Sequence, residues 1–135
     1  MNSQQEFVAG RCLEYPWIDM FENSTVNEDG VLDVDAREVF EKISQIKLVD
    51  VRREEEFHGE LGHISGAELS TLETQYADYV KTLDPNQHYV FICRSGRRSS
   101  RAAVIAKNHG IENVYNLAGG MIRWNEIDLP IVEPS

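Results

Sequence analysis

An α/β domain, built on a mostly parallel central sheet with helices on both faces, is predicted by three features of the chain. Strand-like and helix-like segments alternate over most of its length. The strand-like runs KLVDV (47–51) and HYVFIC (88–93) are apolar throughout instead of alternating, as strands covered on both sides are. The length, 135 residues, suffices for one compact domain with a real core and not for two.

An acidic leader comes first. Residues 1–35 carry eight carboxylates against Arg11 alone, so −7 of the net charge of −10 lies there. Residues 1–30 are set apart as an acidic N-terminal segment and 31–135 as the α/β domain. The segment reads either as a solvated stretch or as a docking surface for a basic protein partner. Tyr15, Pro16, Trp17, Ile18, Met20 and Phe21 make part of it apolar enough to pack on something.

NEDG (27–30) then reads as a turn, because Asn, Asp and Gly tolerate turn backbone angles. VDAREVFEKI (34–43) places Val34, Val39, Phe40 and Ile43 near helical spacing, with Asp33 or Asp35 as N-cap. After the strand KLVDV, RREEEFHG (52–59) is a short charged helix closed by Gly59. HISGAELS (63–70) holds a glycine turn at Gly66 and a brief strand. TLETQYADYVKTL (71–83) has Leu72, Tyr76, Tyr79, Val80 and Leu83 on one helical face, and Pro85 stops it. The second buried strand, HYVFIC, leads to a helix over 99–110, capped by Ser99 or Ser100 and ended by Gly110. NVYNLAGG (113–120) is strand then turn, and MIRWNEI (121–127) is a last short helix with Trp124 in the core.

Composition narrows the function. The apolar fraction of 41% and charged fraction of 27% are ordinary for a globular protein, and no run approaches the ~20 apolar residues that cross a bilayer. MNSQQEFVAG has neither the basic start nor the apolar centre of a secretory signal, so a cytoplasmic location is expected. The acidic balance argues against nucleic acid and anionic membrane as partners. Cys12 and Cys93 give no disulfide framework, and His58, His63, His88 and His109 share no ligand-like spacing with them. No metal and no cofactor is expected.

Against that acidic background, four arginines fall within residues 94–101, immediately after Cys93. Cys93 stands at a strand end, where sites in parallel α/β folds gather. RSGRR (94–98) must turn the chain into the following helix. Such a loop aims backbone N–H groups at the sulfur, and Gly96 permits a tight turn. Those dipoles, with Arg94, Arg97, Arg98 and Arg101, favour thiolate over thiol. The blander reading, a small buried hydrophobe before a solvated basic helix face, accounts less well for a glycine and four arginines in one strand–loop–helix unit.

Three separated stretches resemble the rhodanese, or sulfurtransferase, domain family: LVDVRREEEFHGELGHISGAELS (48–70), CRSGRRS (93–99) and NLAGGMIRWNEIDLPIV (116–132). Together they span roughly Val34 to Val132, and the leader lies outside them. The resemblance implies a rhodanese-like fold and a persulfide mechanism. Cys93 would take the outer sulfur of a small anionic donor such as thiosulfate and pass it to cyanide, a small thiol or a protein acceptor. It assigns substrate binding to Arg94, Ser95, Gly96, Arg97, Arg98 and Ser99, with Arg94 and Arg98 on the sulfonate end. Arg97 and Arg101 would face solvent or pair with acids.

Away from the thiol, Asp50 and Arg52 sit at a neighbouring strand end, where they reach the pocket rim or form an ion pair that fixes the loops. His63 is read as a loop-fixing residue instead of a base, and Gly119 and Gly120 as turn glycines. Glu54, Glu55 and Glu56 read as a solvated helix start. Cys12 would be a resolving thiol if it reached Cys93.

Two alternatives stand beside sulfur transfer. Cysteine-dependent phosphatases and arsenate reductases also seat a thiolate in a strand–loop–helix cradle. Their pattern needs arginine six residues after the cysteine, where this chain has Ser99; Arg98 is one position early. A non-catalytic interaction module of the same fold usually lacks the cysteine that is present here.

Overall fold

The computed structural model describes residues 20–133. Six strands form one sheet: β1 (Thr25–Val26), β2 (Leu32–Val34), β3 (Lys47–Asp50), β4 (Glu68–Leu69), β5 (Tyr89–Ile92) and β6 (Val114–Leu117). Their spatial order is β1-β2-β6-β5-β3-β4, and every neighbouring pair is parallel except β1 with β2. The helices are α1 (Ala36–Glu41), α2 (Glu54–Phe57), α3 (Tyr76–Tyr79), α4 (Arg97–Asn108) and α5 (Gly120–Glu126).

The apolar strands are explained by two core layers. Val49, Val51, Phe91 and Cys93 face one side, against Tyr76, Val80, Ala102, Ala103 and Ala106 of the α3 and α4 regions. Leu48, Val90, Ile92, Tyr115 and Leu117 face the other, against Val39 of α1 and Met121 and Trp124 of α5. Alternate residues of one strand thus serve opposite cores, which leaves no polar face. Trp124 is buried as predicted, its indole N–H donating to Pro130 O at 2.8 Å.

Several local expectations shift. Val34 belongs to β2, paired with Leu117, and the helix after it is capped by Asp35, whose carboxylate accepts from Arg37 N and Glu38 N. The expected helix over 71–83 begins only at Tyr76, because Thr71 O gathers the amides of Thr74, Gln75 and Tyr76 in a turn; a 3-10 segment, Val80–Thr82, completes it. Part of the acidic leader also packs on the sheet. Phe21 is buried edge-on against Tyr115 with centroids 4.8 Å apart, and Glu38 accepts the amides of Glu22 and Asn23. The Cys12 and Tyr15–Ile18 readings fall outside the described residues. Among the described residues no helix is long and apolar enough to cross a membrane.

Register decides where chemistry can gather. Asp50 pairs with Ile92, and Phe91 with Asn116, so Asp50, Cys93 and Asn116 meet at the carboxyl edge of three central strands.

Candidate active site

Cys93 follows β5, and residues 94–96 carry the chain into α4. The helix starts at Arg97, two residues before the predicted start, and its N-cap is Gly96 at φ 105°, ψ 0°, with no side-chain cap. A left-handed residue at this point folds the chain back over the sulfur, which a non-glycine residue would do only under strain. The serines expected to cap the helix are engaged elsewhere. Ser99 Oγ lies 3.3 Å from Cys93 Sγ, and Ser100 Oγ donates to Asp29 Oδ2 at 2.7 Å.

Cys93 is 1% exposed, yet its side chain faces the loop: Gly96 N–H donates to Sγ at 3.0 Å. Burial pushes the thiol up, but hydrogen bonds from the Ser99 hydroxyl and from the backbone N–H groups of Ser99, Gly96 and Ser95 outweigh it. The balance holds the thiol below its ordinary value. Amides and a hydroxyl, more than the arginines, make this sulfur acidic.

α5 keeps the loop in that shape. Met121 N–H donates to Cys93 O at 2.9 Å and Ile122 N–H to Arg94 O at 3.0 Å. With these carbonyls turned toward α5, the following amides are left to face the sulfur. The approach is close enough that a Cβ on Gly120 would sit 2.5 Å from both carbonyl oxygens. Gly120 is therefore a packing residue as much as a turn residue.

The arginines divide. Arg98 is half-buried and donates to Glu56 with both terminal nitrogens, at 2.8 and 2.9 Å; it is also near enough for the charge of Cys93 to help hold it protonated. Arg94 is exposed and lines a cleft of about 200 Å³ with Arg52, Glu56, Gly59, Glu60 and Leu61. On the loop's other flank, Ser95, Gly96, Arg97 and Arg101 border a cleft of about 550 Å³ together with Asp29, Asp33 and Asn116. The residues assigned to substrate from sequence thus open onto two different flanks of the thiol loop.

Asp50 and Arg52 meet each other. Arg52 Nε and Nη2 donate to the two Asp50 carboxylate oxygens at 2.9 and 2.8 Å, and both side chains are fully buried. Arg52 also donates to Glu56 O and Gly62 O, which ties β3, α2 and the next turn together. His63 bonds Phe57 O through Nδ1 and stacks on the Phe57 ring at 3.7 Å, a loop-fixing role. Of the three glutamates read as a solvated helix start, Glu56 is different: it holds Arg98 and caps its own helix by accepting from Arg53 N. Arg98 beside it brings its carboxyl down to about 2.

Two residues of the site were not singled out from sequence, Glu56 and Asn116. Asn116 offered a signal, being an amide inside the otherwise apolar strand VYNL and 3% exposed. Glu56 offered none, since it sits in a run of three identical residues.

A thiol faced by amide donors at the end of a central parallel strand forms an α/β cradle of the kind that favours an anion at its floor. The family model of the rhodanese-like domain matches residues 26–127, and the chain belongs to that family. It is 30% identical over 100 residues to thiosulfate sulfurtransferase GlpE of Vibrio cholerae, covering 74% of this chain and 92% of that one. It is 40% identical over 81 residues to the uncharacterized protein YqhL of Bacillus subtilis, covering 58% of this chain and 60% of that one. Among solved structures it resembles a rhodanese-related protein from Thermoplasma volcanium, with TM-score 0.68 and 26% identity, covering 74% of this chain and 96% of that one. These relatives place the chain in a sulfurtransferase-type family.

Proposed function

We propose that the protein moves a sulfane sulfur from thiosulfate, or a similar small anionic donor, to a thiophilic acceptor through a Cys93 persulfide. The observation that carries this reading is the hydrogen-bond cradle on Cys93 Sγ, made by Gly96 N–H and the Ser99 hydroxyl and backed by the neighbouring amides. The thiolate attacks the outer sulfur of thiosulfate; a new S–S bond forms at Cys93, the old one breaks, and sulfite leaves with the electron pair. Cyanide or a thiolate then attacks the outer sulfur, and Cys93 leaves as thiolate. Charge is conserved in each half, and the two halves give ping-pong kinetics. The amides that stabilise the resting thiolate also suit the persulfide anion, as an oxyanion hole suits oxygen.

Phosphoryl transfer is less well served. The arginine nearest the phosphatase position, Arg98, is bound on both terminal nitrogens by Glu56. The acidic leader would supply a docking surface for a protein donor or acceptor. A chain beginning at Met20, which keeps Phe21 in the core, should then lose protein-to-protein transfer while keeping transfer from thiosulfate to cyanide.

Mass spectrometry of the intact protein tests the central reading. After thiosulfate it should gain one sulfur atom, mapped to Cys93, and lose it on adding cyanide. Cys93→Ser should gain none. An unmodified Cys93, or turnover of a phosphomonoester that depends on Cys93, would overturn it.

A further inference from the structure

Behind the cradle lies a chain of polar groups, with Ser99 and Asn116 buried and Asp33 half-buried, that the persulfide mechanism leaves unexplained. Asn116, in the middle of β6, donates from Nδ2 to Asp33 Oδ1 at 2.8 Å and to Gly96 O at 3.0 Å. Both partners are pure acceptors, so the amide has one orientation, and its Oδ1 must face Ser99. Ser99 Oγ lies 2.5 Å from Asn116 Oδ1 and 3.3 Å from Cys93 Sγ. A serine hydroxyl has a single proton and here has two acceptors. Beyond Asn116, Asp33 also accepts from Asn27 Nδ2 at 2.9 Å.

A polar side chain in an apolar strand costs stability unless it has partners and a reason. The reason here is geometric. Holding Gly96 O fixes the peptide that follows Gly96, and so the orientation of the residue whose N–H, in the preceding peptide, bonds the sulfur. Holding the Ser99 proton on Oδ1 turns an oxygen lone pair to a protonated Cys93, whose S–H can donate to it. When the sulfur bears its full negative charge, it draws that proton away from Oδ1.

We propose that Asn116 is a positioning residue for the Cys93 sulfur: it fixes the Gly96 carbonyl and shares the Ser99 proton with the sulfur as the charge on the sulfur changes. This rests on Cys93 being the sulfur-carrying nucleophile. Asn116 acts through Gly96 and Ser99. Three charged groups near the sulfur are paired: Arg98 with Glu56 on the α2 side, Arg52 with Asp50 at the end of β3, and Asp33 with its two amides on the β2 side. Arg94, Arg97 and Arg101 are exposed on the loop and the first turns of α4. All three are unchanged in the variants below, so a difference in Cys93 titration between them reports on its own donors.

The test compares wild type, Asn116→Asp and the double variant Asn116→Asp/Asp33→Asn, all carrying Cys12→Ala so that one thiol reacts. Iodoacetamide alkylation of Cys93 is followed against pH, alongside the rate of sulfur loading from thiosulfate and the melting temperature. A carboxylate at position 116 cannot donate to Gly96 O, and it adds negative charge behind Ser99. The alkylation midpoint should rise by about one pH unit or more, and loading at neutral pH should slow about tenfold. In the double variant the amide introduced at position 33 donates to the carboxylate introduced at position 116, so stability recovers while the midpoint stays raised; this variant carries the test if the single one does not fold. A double variant that melts, titrates and loads like wild type makes Asn116 a structural residue only and overturns the proposal. A wild-type Cys93 that never takes sulfur removes the sulfur-transfer reading itself, a different outcome.

Discussion

Arg98 and Glu56 clamp the first turn of α4 to α2, with two parallel N–H···O bonds of 2.8 and 2.9 Å across 42 residues of sequence. Because α4 begins at the thiol loop, the clamp fixes one wall of the site. It also has a defined pH range. The Arg98 hydrogen bonds lower the Glu56 carboxyl, partial burial opposes them, and the Arg53 amide adds to the lowering, which brings it to about 2 from an ordinary 4.5. A carboxyl depressed on folding stabilises fully above its unfolded value and less as pH falls toward its folded value. Glu56→Gln should cost about 1–2 kcal/mol at neutral pH, allowing for solvent screening at a half-exposed pair. Denaturant titrations of wild type and variant should converge between pH 4.5 and about 2; a gap that persists undiminished at the acid end would contradict this.

The same clamp bears on the donor. Arg98 gives one N–H from each terminal nitrogen to Glu56, and this ion pair holds the fork on α2. Freed by Glu56→Gln, its fork can turn to the incoming anion, and KM for thiosulfate should fall about threefold to tenfold, roughly the value of one charge-assisted contact. Steady-state kinetics at fixed cyanide read this directly. A higher KM in the variant would mean that Arg98 works as a strut and must stay where Glu56 holds it.

Ser99 supplies the largest of the forces that lower the Cys93 thiol, working against burial, which raises it. Removing the hydroxyl leaves burial less opposed. In Ser99→Ala the thiol should therefore ionise at higher pH. The acid limb of the kcat/KM profile should move with it, so activity declines at neutral pH and recovers toward alkaline pH. An unmoved limb would mean that the backbone amides alone set the acidity of the sulfur.

How much of this was legible beforehand depends on whether an interaction is local. The sheet was, because KLVDV and HYVFIC place apolar residues at consecutive positions where a half-exposed strand would alternate, as a doubly covered strand does. Cys93 was legible for the same local reason: glycine and arginines crowd the few residues after it. What the arginines do was not. Their partners, Glu56 above all, come from elements far away in the chain, and which of three consecutive glutamates turns inward is set by the roll of a four-residue helix. The start of α4 was misplaced because serine is a good cap, while here Gly96 takes a left-handed turn and the serines serve the sulfur and Asp29. Asn116 acts only through β6 lying beside β5, and no pattern within its own strand reveals its partners.

Gly120 and Gly110 separate two costs of replacing glycine. Both have positive φ, 56° and 88°, but an added Cβ meets nothing within 4 Å at Gly110 and two carbonyl oxygens at 2.5 Å at Gly120. Gly110→Ala should lose only the backbone preference, about 1 kcal/mol. Gly120→Ala must also push α5 off the thiol loop and should lose about 3 kcal/mol or more. The loss should extend to function: the displaced Cys93 and Arg94 carbonyls no longer turn the following amides inward, so sulfur loading slows in any protein that stays folded. Thermal melts with loading rates check both, and equal melting temperatures for the two variants would refute the close-packing account.

Asp50 and Arg52 form the most heavily desolvated ion pair among the described residues, with side chains 0% and 1% exposed. Arg52 does three things from that position: it neutralises Asp50, holds Glu56 O and holds Gly62 O. Removing Asp50 alone leaves a guanidinium buried with no counter-charge, the costly half of such a pair, and Asp50→Ala should lose about 3–5 kcal/mol, a large share of ordinary domain stability. Arg52→Met leaves the Asp50 carboxylate uncompensated and two carbonyls without a donor, and should lose a similar amount. In the double variant neither charge remains, so its loss should be smaller than the sum of the single losses by about 2 kcal/mol or more. Urea denaturation with an unchanged slope gives all three values on one scale. The coupling also decides what the pair is for. If the losses simply add, Arg52 acts through the carbonyls of α2 and the Gly62 turn, and Asp50 is incidental to it. If they couple as expected, the pair is one unit that pins α2, and Glu56 with it, in reach of Arg98 at the edge of the thiol loop.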